Sequence, residues 1–93
     1  MFGLSNEIYD KIIKIVKKYN KEFYIFGSRA RNSYRENSDI DIAVYGEVTD
    51  DEEMSIRNDF DILDIPYTID IVFINKITKQ ELLKSIEKEG VKL

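Results

Sequence analysis

The sequence predicts a small α/β or α+β fold, in which helices flank one twisted mixed β-sheet. Amphipathic helical patterns alternate along the chain with short runs of aromatic and β-branched residues. Gly27 and Gly46 end two of these runs, and the only proline, Pro66, precedes the third. The 93 residues can bury a modest core, so we expect one domain over residues 1–93.

The first part of the chain predicts a helix, a strand and a short helix. Isoleucine recurs on one face of residues 5–19, and Ser5 or Asn6 can cap the start of this helix. The aromatic and β-branched run Glu22–Phe26 predicts a strand. Residues 28–36 predict a short helix that follows the glycine at the end of this strand.

The middle of the chain predicts a second strand and an acidic helix. Residues 39–45 first alternate polar and apolar side chains and then become continuously apolar, as a strand does. Residues 47–64 are acidic and carry an apolar stripe, which predicts a solvated helix. Two residue pairs have capping-box spacing at its start: Thr49 with Glu52, and Asp50 with Glu53.

The last part of the chain predicts a strand, a helix and a short final strand. Residues 67–74 form the clearest strand pattern of the sequence. Thr78 and Glu81 have the spacing of a capping box, and Gly90 lies where a helix C-terminal glycine belongs. Residues 91–93 can add a short strand.

Arginine is concentrated in one stretch of an acidic chain. Acidic residues outnumber basic residues by 18 to 14, for a net charge of −4, which argues against a general nucleic-acid-binding surface. Three of the four arginines, Arg29, Arg31 and Arg35, lie within seven residues. The rigid guanidinium fork suits phosphate, so this clustering favours a small anionic ligand over a long polyanion.

Cysteine and histidine are both absent. Their absence excludes disulfides, thiolate nucleophiles, serine–histidine triads and metals held by thiolate or imidazole. Any metal must be bound by oxygen, as magnesium, manganese and calcium are. No run approaches the ~20 apolar residues of a membrane helix, and no signal peptide is evident. We therefore expect a cytoplasmic protein without membrane contact.

Three aspartates are candidate metal ligands. Asp39 and Asp41 are two apart on a predicted strand, so both side chains leave one face, where a divalent cation would relieve their repulsion. Asp70 interrupts the apolar run 67–74, and it lies beside the other two if that strand pairs with residues 39–45. Three carboxylates can bind two metal ions ~4 Å apart, and Asp70 can also accept the proton of an attacking hydroxyl.

The Gly27–Ser28 turn suits a phosphate. Glycine lets the backbone approach a ligand closely, and free N–H groups at a helix start attract phosphate. The Ser28 hydroxyl can bond a phosphate oxygen. We expect Arg31 to neutralise the phosphates, whereas Arg29, two residues away on a helix, faces solvent or a protein partner.

Each feature on its own also has a structural explanation. The glycine-serine pair can be a plain turn, and the first two aspartates can be the wet face of a half-buried strand. Asp70 can be a strand-edge charge, and the arginines a solvated helix face. Their order along the chain is what favours a functional interpretation.

The stretch GSRARNSYRENSDIDIAV resembles the signature of the nucleotidyltransferase superfamily that includes DNA polymerase β and the aminoglycoside nucleotidyltransferases. That signature is Gly-Ser, a basic short helix and Asp-x-Asp on the next strand, and Asp70 in IDIVF matches the later third carboxylate. The whole chain is similar to the minimal nucleotidyltransferases. These usually read Gly-Ser-x-Ala-Arg-Gly, and Asn32 replaces the last glycine here. Asparagine also tolerates a positive φ.

The resemblance implies a polymerase β palm-like fold and magnesium-dependent transfer of AMP from ATP, with two Mg²⁺ ions, or Mn²⁺ in their place. It further implies an antitoxin that modifies a tyrosine of a small helical HEPN-family toxin within a hetero-oligomer. The implied nucleotide-binding residues are Gly27, Ser28 and Arg31, and the implied catalytic and metal-binding residues are Asp39, Asp41 and Asp70.

Two alternatives stay open at this point. The protein can neutralise its partner by binding alone, without catalysis. It can also be a small-molecule nucleotidyltransferase of the aminoglycoside type, although 93 residues leave little room for a domain that shapes such a substrate pocket. A nucleic-acid polymerase is disfavoured, because neither charge nor length provides a template-binding surface.

Overall fold

The computed structural model describes all 93 residues, which form three α-helices and four β-strands. The elements in chain order are α1 (Asn6–Lys18), β1 (Glu22–Phe26), β2 (Ile40–Tyr45), α2 (Asp50–Asp61), β3 (Ile69–Phe73), α3 (Gln80–Glu89) and β4 (Val91–Lys92). A short 3₁₀-helix, Ile74–Lys76, follows β3. The predicted class, a small mixed sheet flanked by helices, is confirmed.

The four strands form one sheet in the order β3-β2-β1-β4. β1 is antiparallel to both β2 and β4, whereas β2 and β3 are parallel. Parallel neighbours need a crossover connection, and α2 supplies it. As a result, β2 and β3 both begin at the end of the sheet where β1 ends.

The helices cover the two faces of the sheet unequally. On one face, α1 and α2 contribute Ile12 and Ile56 to a core cluster of twelve buried residues. On the other face, α3 packs through Ile86 against Phe26 and Ala43, which form a cluster of only three buried residues. The α3 face is therefore the more open one.

β2 is the central buried strand, and its alternation determines the orientation of Asp41. Ile40, Ile42 and Val44 are all fully buried. Full burial of such a side chain contributes about 1.5–3 kcal/mol to stability. Because successive residues of a strand point to opposite faces, burial of the isoleucines directs Asp41 to the α3 face.

The predicted caps of α1 and α2 are formed. The Ser5 hydroxyl oxygen accepts a hydrogen bond from the Ile8 N–H at 3.2 Å. At α2, the Thr49 hydroxyl oxygen accepts from the Glu52 N–H, and the Glu52 carboxylate accepts from the Thr49 N–H, both at 3.1 Å. Of the two capping-box pairs that the sequence offers, the first is the one used.

Residues 28–36 do not form the predicted short helix. They form successive turns, in which the Ser33 N–H donates to the Ser28 carbonyl oxygen at 2.9 Å. Asn32 has a φ of 60°, in the left-handed region, and a right-handed helix cannot continue through that conformation. The positive φ expected for this asparagine is confirmed, and it is the reason why the helix prediction is wrong.

At α3 the predicted cap is wrong, whereas Gly90 does lie at the predicted C-terminal position, although not in the usual left-handed conformation. The helix begins at Gln80, one residue later than a Thr78–Glu81 capping box requires, and no side chain caps it. Gly90 follows the helix with a φ of −63°, outside the left-handed region. A Cβ at Gly90 would lie 2.6 Å from the Ile86 carbonyl oxygen, so close approach, and not the turn conformation, requires glycine here.

Thr49→Ala is expected to lower the free energy of unfolding by about 1 kcal/mol, because it removes the acceptor of a formed cap. Thr78→Ala is the matched control, with an expected change within about 0.5 kcal/mol. Urea unfolding followed by circular dichroism measures both values. Equal losses in the two variants would contradict the assignment of the caps.

Candidate active site

The Gly27–Ser28 turn follows β1 directly, at the end of the sheet where β2 and β3 begin. Gly27 has a φ of 75°, a conformation that favours glycine. A Cβ at this position would collide with the carboxylate of Asp41. The turn conformation therefore requires glycine, and a side chain at this position would also displace the Asp41 carboxylate.

Asp41 and Asp70 lie directly opposite each other in the parallel β2–β3 ladder. On its other side, Asp41 is opposite Phe26 in the antiparallel β1–β2 ladder. Residues paired across a ladder share a face of the sheet, so both aspartates lie on the α3 face. The sequence predicts Asp70 beside both Asp39 and Asp41, and the strand register places it directly opposite Asp41.

β2 begins at Ile40, one residue later than predicted, so Asp39 immediately precedes the strand. Its side chain is exposed. Its backbone is fixed from both sides: the Ser38 carbonyl oxygen accepts hydrogen bonds from Arg29, and the Ile40 N–H donates to the Thr68 carbonyl oxygen at 2.9 Å. Asp39 is thus held at the same end of the sheet as the other two aspartates.

The electrostatics of the site centre on Asp41. Burial raises the pKa of the Asp41 carboxyl above its ordinary value, and the charges of Asp70 and Asp39 raise it further. The nearby Arg31 guanidinium acts in the opposite direction, lowering the same pKa. The site therefore concentrates negative charge that a bound cation would relieve.

Arg31 is exposed and is paired with an acid that the sequence did not single out. Its Nη1 donates to the Glu89 carboxylate at 2.7 Å, and the Ser85 hydroxyl is 3.4 Å from the same oxygen. The guanidinium holds the pKa of Glu89 below its usual range. Glu89 lies in a helix rich in lysine and glutamate, where no sequence pattern distinguishes it from its neighbours.

Arg29 neither faces solvent nor is available to a protein partner, so that expectation is wrong. It is only 1% exposed and is the only charged residue in the buried set. Its Nε and Nη2 donate to the Ser38 carbonyl oxygen at 3.1 and 2.8 Å, and its Nη1 donates to that of Phe2 at 3.0 Å. The guanidinium also lies 5.2 Å from the Tyr34 ring centroid and 4.6 Å from that of Tyr67.

The three aspartates suit a divalent cation in their chemistry, although they do not form a ready-made site. Carboxylate oxygens are ligands that magnesium and manganese prefer, and the pKa of Asp41 is raised by burial first and by the charges of Asp70 and Asp39 second. No group of three or more acidic side chains in the chain is arranged to hold a metal ion. Strand register brings these residues to one place, and their side-chain oxygens do not converge on one point.

The aspartates and the turn lie on an open surface. The surface grooves of the chain are lined by other residues. One groove, of about 390 Å³, lies between α1 and the end of α2, on the opposite face of the sheet, and it contains Lys14 and Ile62. A ligand at the aspartates is therefore not enclosed by this chain alone.

A mixed sheet with a Gly-Ser turn against an Asp-x-Asp strand is the architecture of a nucleotidyltransferase domain. The family model described as "Polymerase beta, Nucleotidyltransferase" matches residues 10–93. The chain belongs to this family. The match includes the turn, all four strands and the three aspartates, and it supports a transferase role.

Three solved structures of similar fold come from toxin–antitoxin pairs. The chain is 26% identical to a toxin–antitoxin with AMP-PNP, with a TM-score of 0.69, over 95% of this chain and 72% of that chain. It is 25% identical to an MntA–HpeT mutant, with a TM-score of 0.68, over 97% of this chain and 72% of that chain. A second MntA–HpeT mutant is 22% identical, with a TM-score of 0.64, over 89% of this chain and 69% of that chain. At this identity the likeness shows the fold alone.

A comparison with curated protein sequences gave no match. The three helices lack the length and apolar character that crossing a lipid bilayer requires.

Asp70→Asn is expected to stabilise the fold at neutral pH by about 0.5 kcal/mol, the scale of a directly opposed pair on a sheet. Because the folded-state pKa of Asp41 is raised, folding favours its protonated form. The stability gained from this preference is fully present below the unfolded-state pKa of Asp41 and is lost as pH rises through its folded-state pKa. Removing the charge of Asp70 removes part of the repulsion on Asp41 and therefore reduces this loss of stability.

Urea unfolding at pH 7 and at about pH 3 tests this prediction, because the raised pKa of Asp41 leaves its carboxyl protonated, and so uncharged, at the lower pH. The difference between Asp70→Asn and the unmodified protein should disappear at the lower pH. Asp10→Asn, at an exposed position on α1, is the control for a change in net charge. Destabilisation by Asp70→Asn at neutral pH would contradict the electrostatic argument.

Proposed function

We propose that this protein is a cytoplasmic, magnesium-dependent nucleotidyltransferase that transfers AMP from ATP to a tyrosine hydroxyl of a HEPN-family toxin and thereby acts as its antitoxin. The observation that carries the proposal is the contact between Gly27 and Asp41, which lies in register with Asp70. Family membership supports nucleotidyl transfer. The similar toxin–antitoxin structures support a toxin partner, and AMP-PNP, an ATP analogue, in one of them supports ATP as donor.

The turn would bind the nucleotide phosphates. Gly27 permits close approach of the backbone, and the Ser28 hydroxyl would donate to a phosphate oxygen. Arg31 would supply positive charge in bidentate geometry. Its guanidinium is held near the aspartates by Glu89, so phosphate and Glu89 would compete for the same donors.

The three aspartates would divide two tasks. Asp39 and Asp41 would hold magnesium ions, with Asp70 completing the ligand set. When bound, magnesium neutralises the phosphates and stabilises the charge that develops during transfer. Asp70 would also accept the proton of the tyrosine hydroxyl, whose oxygen forms a bond to the α-phosphorus while the bond to the departing pyrophosphate breaks.

The openness of the site favours a protein acceptor. Small-molecule sites are usually concave pockets that bury most of the ligand. These aspartates lie on the less covered face of the sheet and outside the grooves of the chain. A second protein can supply both the hydroxyl and the surface that covers the site, which favours a toxin over an aminoglycoside as the acceptor.

Asp39→Asn combined with Asp41→Asn is expected to abolish AMP transfer. The assay mixes the protein with magnesium, ATP labelled at the α-phosphate and the product of the adjacent gene. Label should appear on that partner protein, whereas ATP labelled at the γ-phosphate should leave it unlabelled. Asp10→Asn combined with Asp61→Asn changes the net charge equally at exposed positions and should leave transfer intact.

Undiminished transfer by the Asp39→Asn, Asp41→Asn protein would reject the proposed mechanism. The same variant tests the binding-only alternative in cells. If it still protects against the partner at normal expression, neutralisation occurs by binding. Loss of protection together with loss of labelling supports neutralisation by modification.

Glu89→Gln is expected to tighten ATP binding by at most about fivefold, because it removes only a partly exposed ion pair that phosphate would otherwise displace from Arg31. Arg31→Met should weaken the same binding. Calorimetric titration with AMP-PNP and magnesium measures both changes. Glu87→Gln, at an exposed position of the same helix, is the control. Weaker binding by Glu89→Gln would show instead that Glu89 orients Arg31 towards the phosphates.

A further inference from the structure

We propose that Arg29 is a positioning residue, which holds the Gly27–Ser28 turn and Asp39 at a fixed separation. The metal-binding consequence of this inference rests on the proposed function, whereas its geometric part stands independently. No sequence pattern indicates this role, and Arg29 is not among the residues proposed to bind the nucleotide or the metal ions.

The environment of Arg29 differs from that of an ordinary buried cation. No carboxylate forms an ion pair with its guanidinium, because the ion pairs of the structure all involve other residues. Neutral groups satisfy the guanidinium instead: the carbonyl oxygens of Ser38 and Phe2 accept three hydrogen bonds, and two tyrosine rings lie within cation–π distance. A buried charge without a counter-ion is costly, so it has to be offset by such well-formed contacts.

These contacts join separate segments at one point. Arg29 is the covalent neighbour of Ser28, and Ser38 is the covalent neighbour of Asp39. The two hydrogen bonds from Arg29 to Ser38 therefore close the loop 28–38 on itself. They connect the proposed phosphate-binding turn to the first metal-binding aspartate, with Phe2 anchoring the guanidinium from outside the loop.

The remaining aspartates depend on Arg29 much less. Asp41 and Asp70 are positioned by the hydrogen bonds of the β2–β3 ladder. Asp39 precedes the strand and lacks that support on its N-terminal side. Loss of the guanidinium contacts should therefore loosen residues 38–40 and the turn while it leaves the sheet intact.

Arg29→Lys tests this selectivity, because lysine keeps the charge but cannot bond two carbonyl groups in the fixed geometry of guanidinium. Binding of Mn²⁺ to the full chain, followed by electron paramagnetic resonance, should weaken about tenfold, the lower end of the effect of removing groups that orient metal ligands. Amide hydrogen exchange should accelerate at residues 38–40 and remain unchanged at the buried core of β1. Arg29→Met removes the charge as well, and it should also weaken Mn²⁺ binding and accelerate amide exchange at residues 38–40.

Two controls separate positioning from a general loss of stability. Tyr19→Phe removes a hydroxyl that bonds Asp59 and Ser55 on the far face of the sheet, so it should lower stability without changing Mn²⁺ affinity. Arg35→Met alters an exposed arginine of the same loop and should change neither.

The proposal is overturned if folded Arg29→Lys binds Mn²⁺ as tightly as the unmodified protein and exchanges its amides at unchanged rates. It is also overturned if exchange accelerates uniformly, or if both Arg29 variants fail to fold, because Arg29 would then serve the whole core. Absence of Mn²⁺ binding and AMP transfer in the unmodified protein would reject the proposed function instead. In that case local acceleration at residues 38–40 still supports the positioning role, and its absence rejects it.

Discussion

The parallel register of β2 on β3 is the constraint on which the rest of the site depends. Ile40 and Ile42 are fully buried, so a one-residue slip of β2 would place Asp41 in the core and expose both isoleucines. Apolar burial on the α1–α2 face thus forces Asp41 onto the opposite face, and the ladder brings Asp70 beside it. Burial of apolar side chains therefore brings Asp41 and Asp70 together although their carboxylates repel each other.

Two further residues at the same end of the sheet depart from ordinary choices: the turn needs glycine at position 27, and burial of the Arg29 charge is costly. Gly27 adopts a left-handed conformation and lacks a side chain, which leaves room for the carboxylate of Asp41. Arg29 is buried without a counter-ion and depends on neutral acceptors. Local exceptions of this kind are typical of functional sites, where the chain departs from the choices that would maximise stability. The extensive core on the α1–α2 face offsets them.

The parts that could be predicted from the sequence depend on local patterns. Alternation and β-branching predicted the strands, and capping spacing predicted that α2 starts at Thr49 or Asp50, of which the structure uses Thr49. Burial of Arg29 could not be predicted, because its acceptors lie 9 and 27 residues away along the chain. The pairing of Arg31 with Glu89 spans 58 residues and likewise leaves no local pattern. The helix α2 separates Asp70 from Asp41 along the chain, so only the pairing of β2 with β3 could place the two aspartates side by side.

On the proposed function, the charge of this site would couple the binding of a cation to the binding of a nucleotide. Asp39, Asp41 and Asp70 present three carboxylates, and the one nearby cation that opposes their effect on Asp41 is Arg31. A triphosphate that approaches them without metal meets net repulsion, and a divalent ion without phosphate lacks part of its ligand set. Each therefore increases the affinity for the other, by the same factor in both directions.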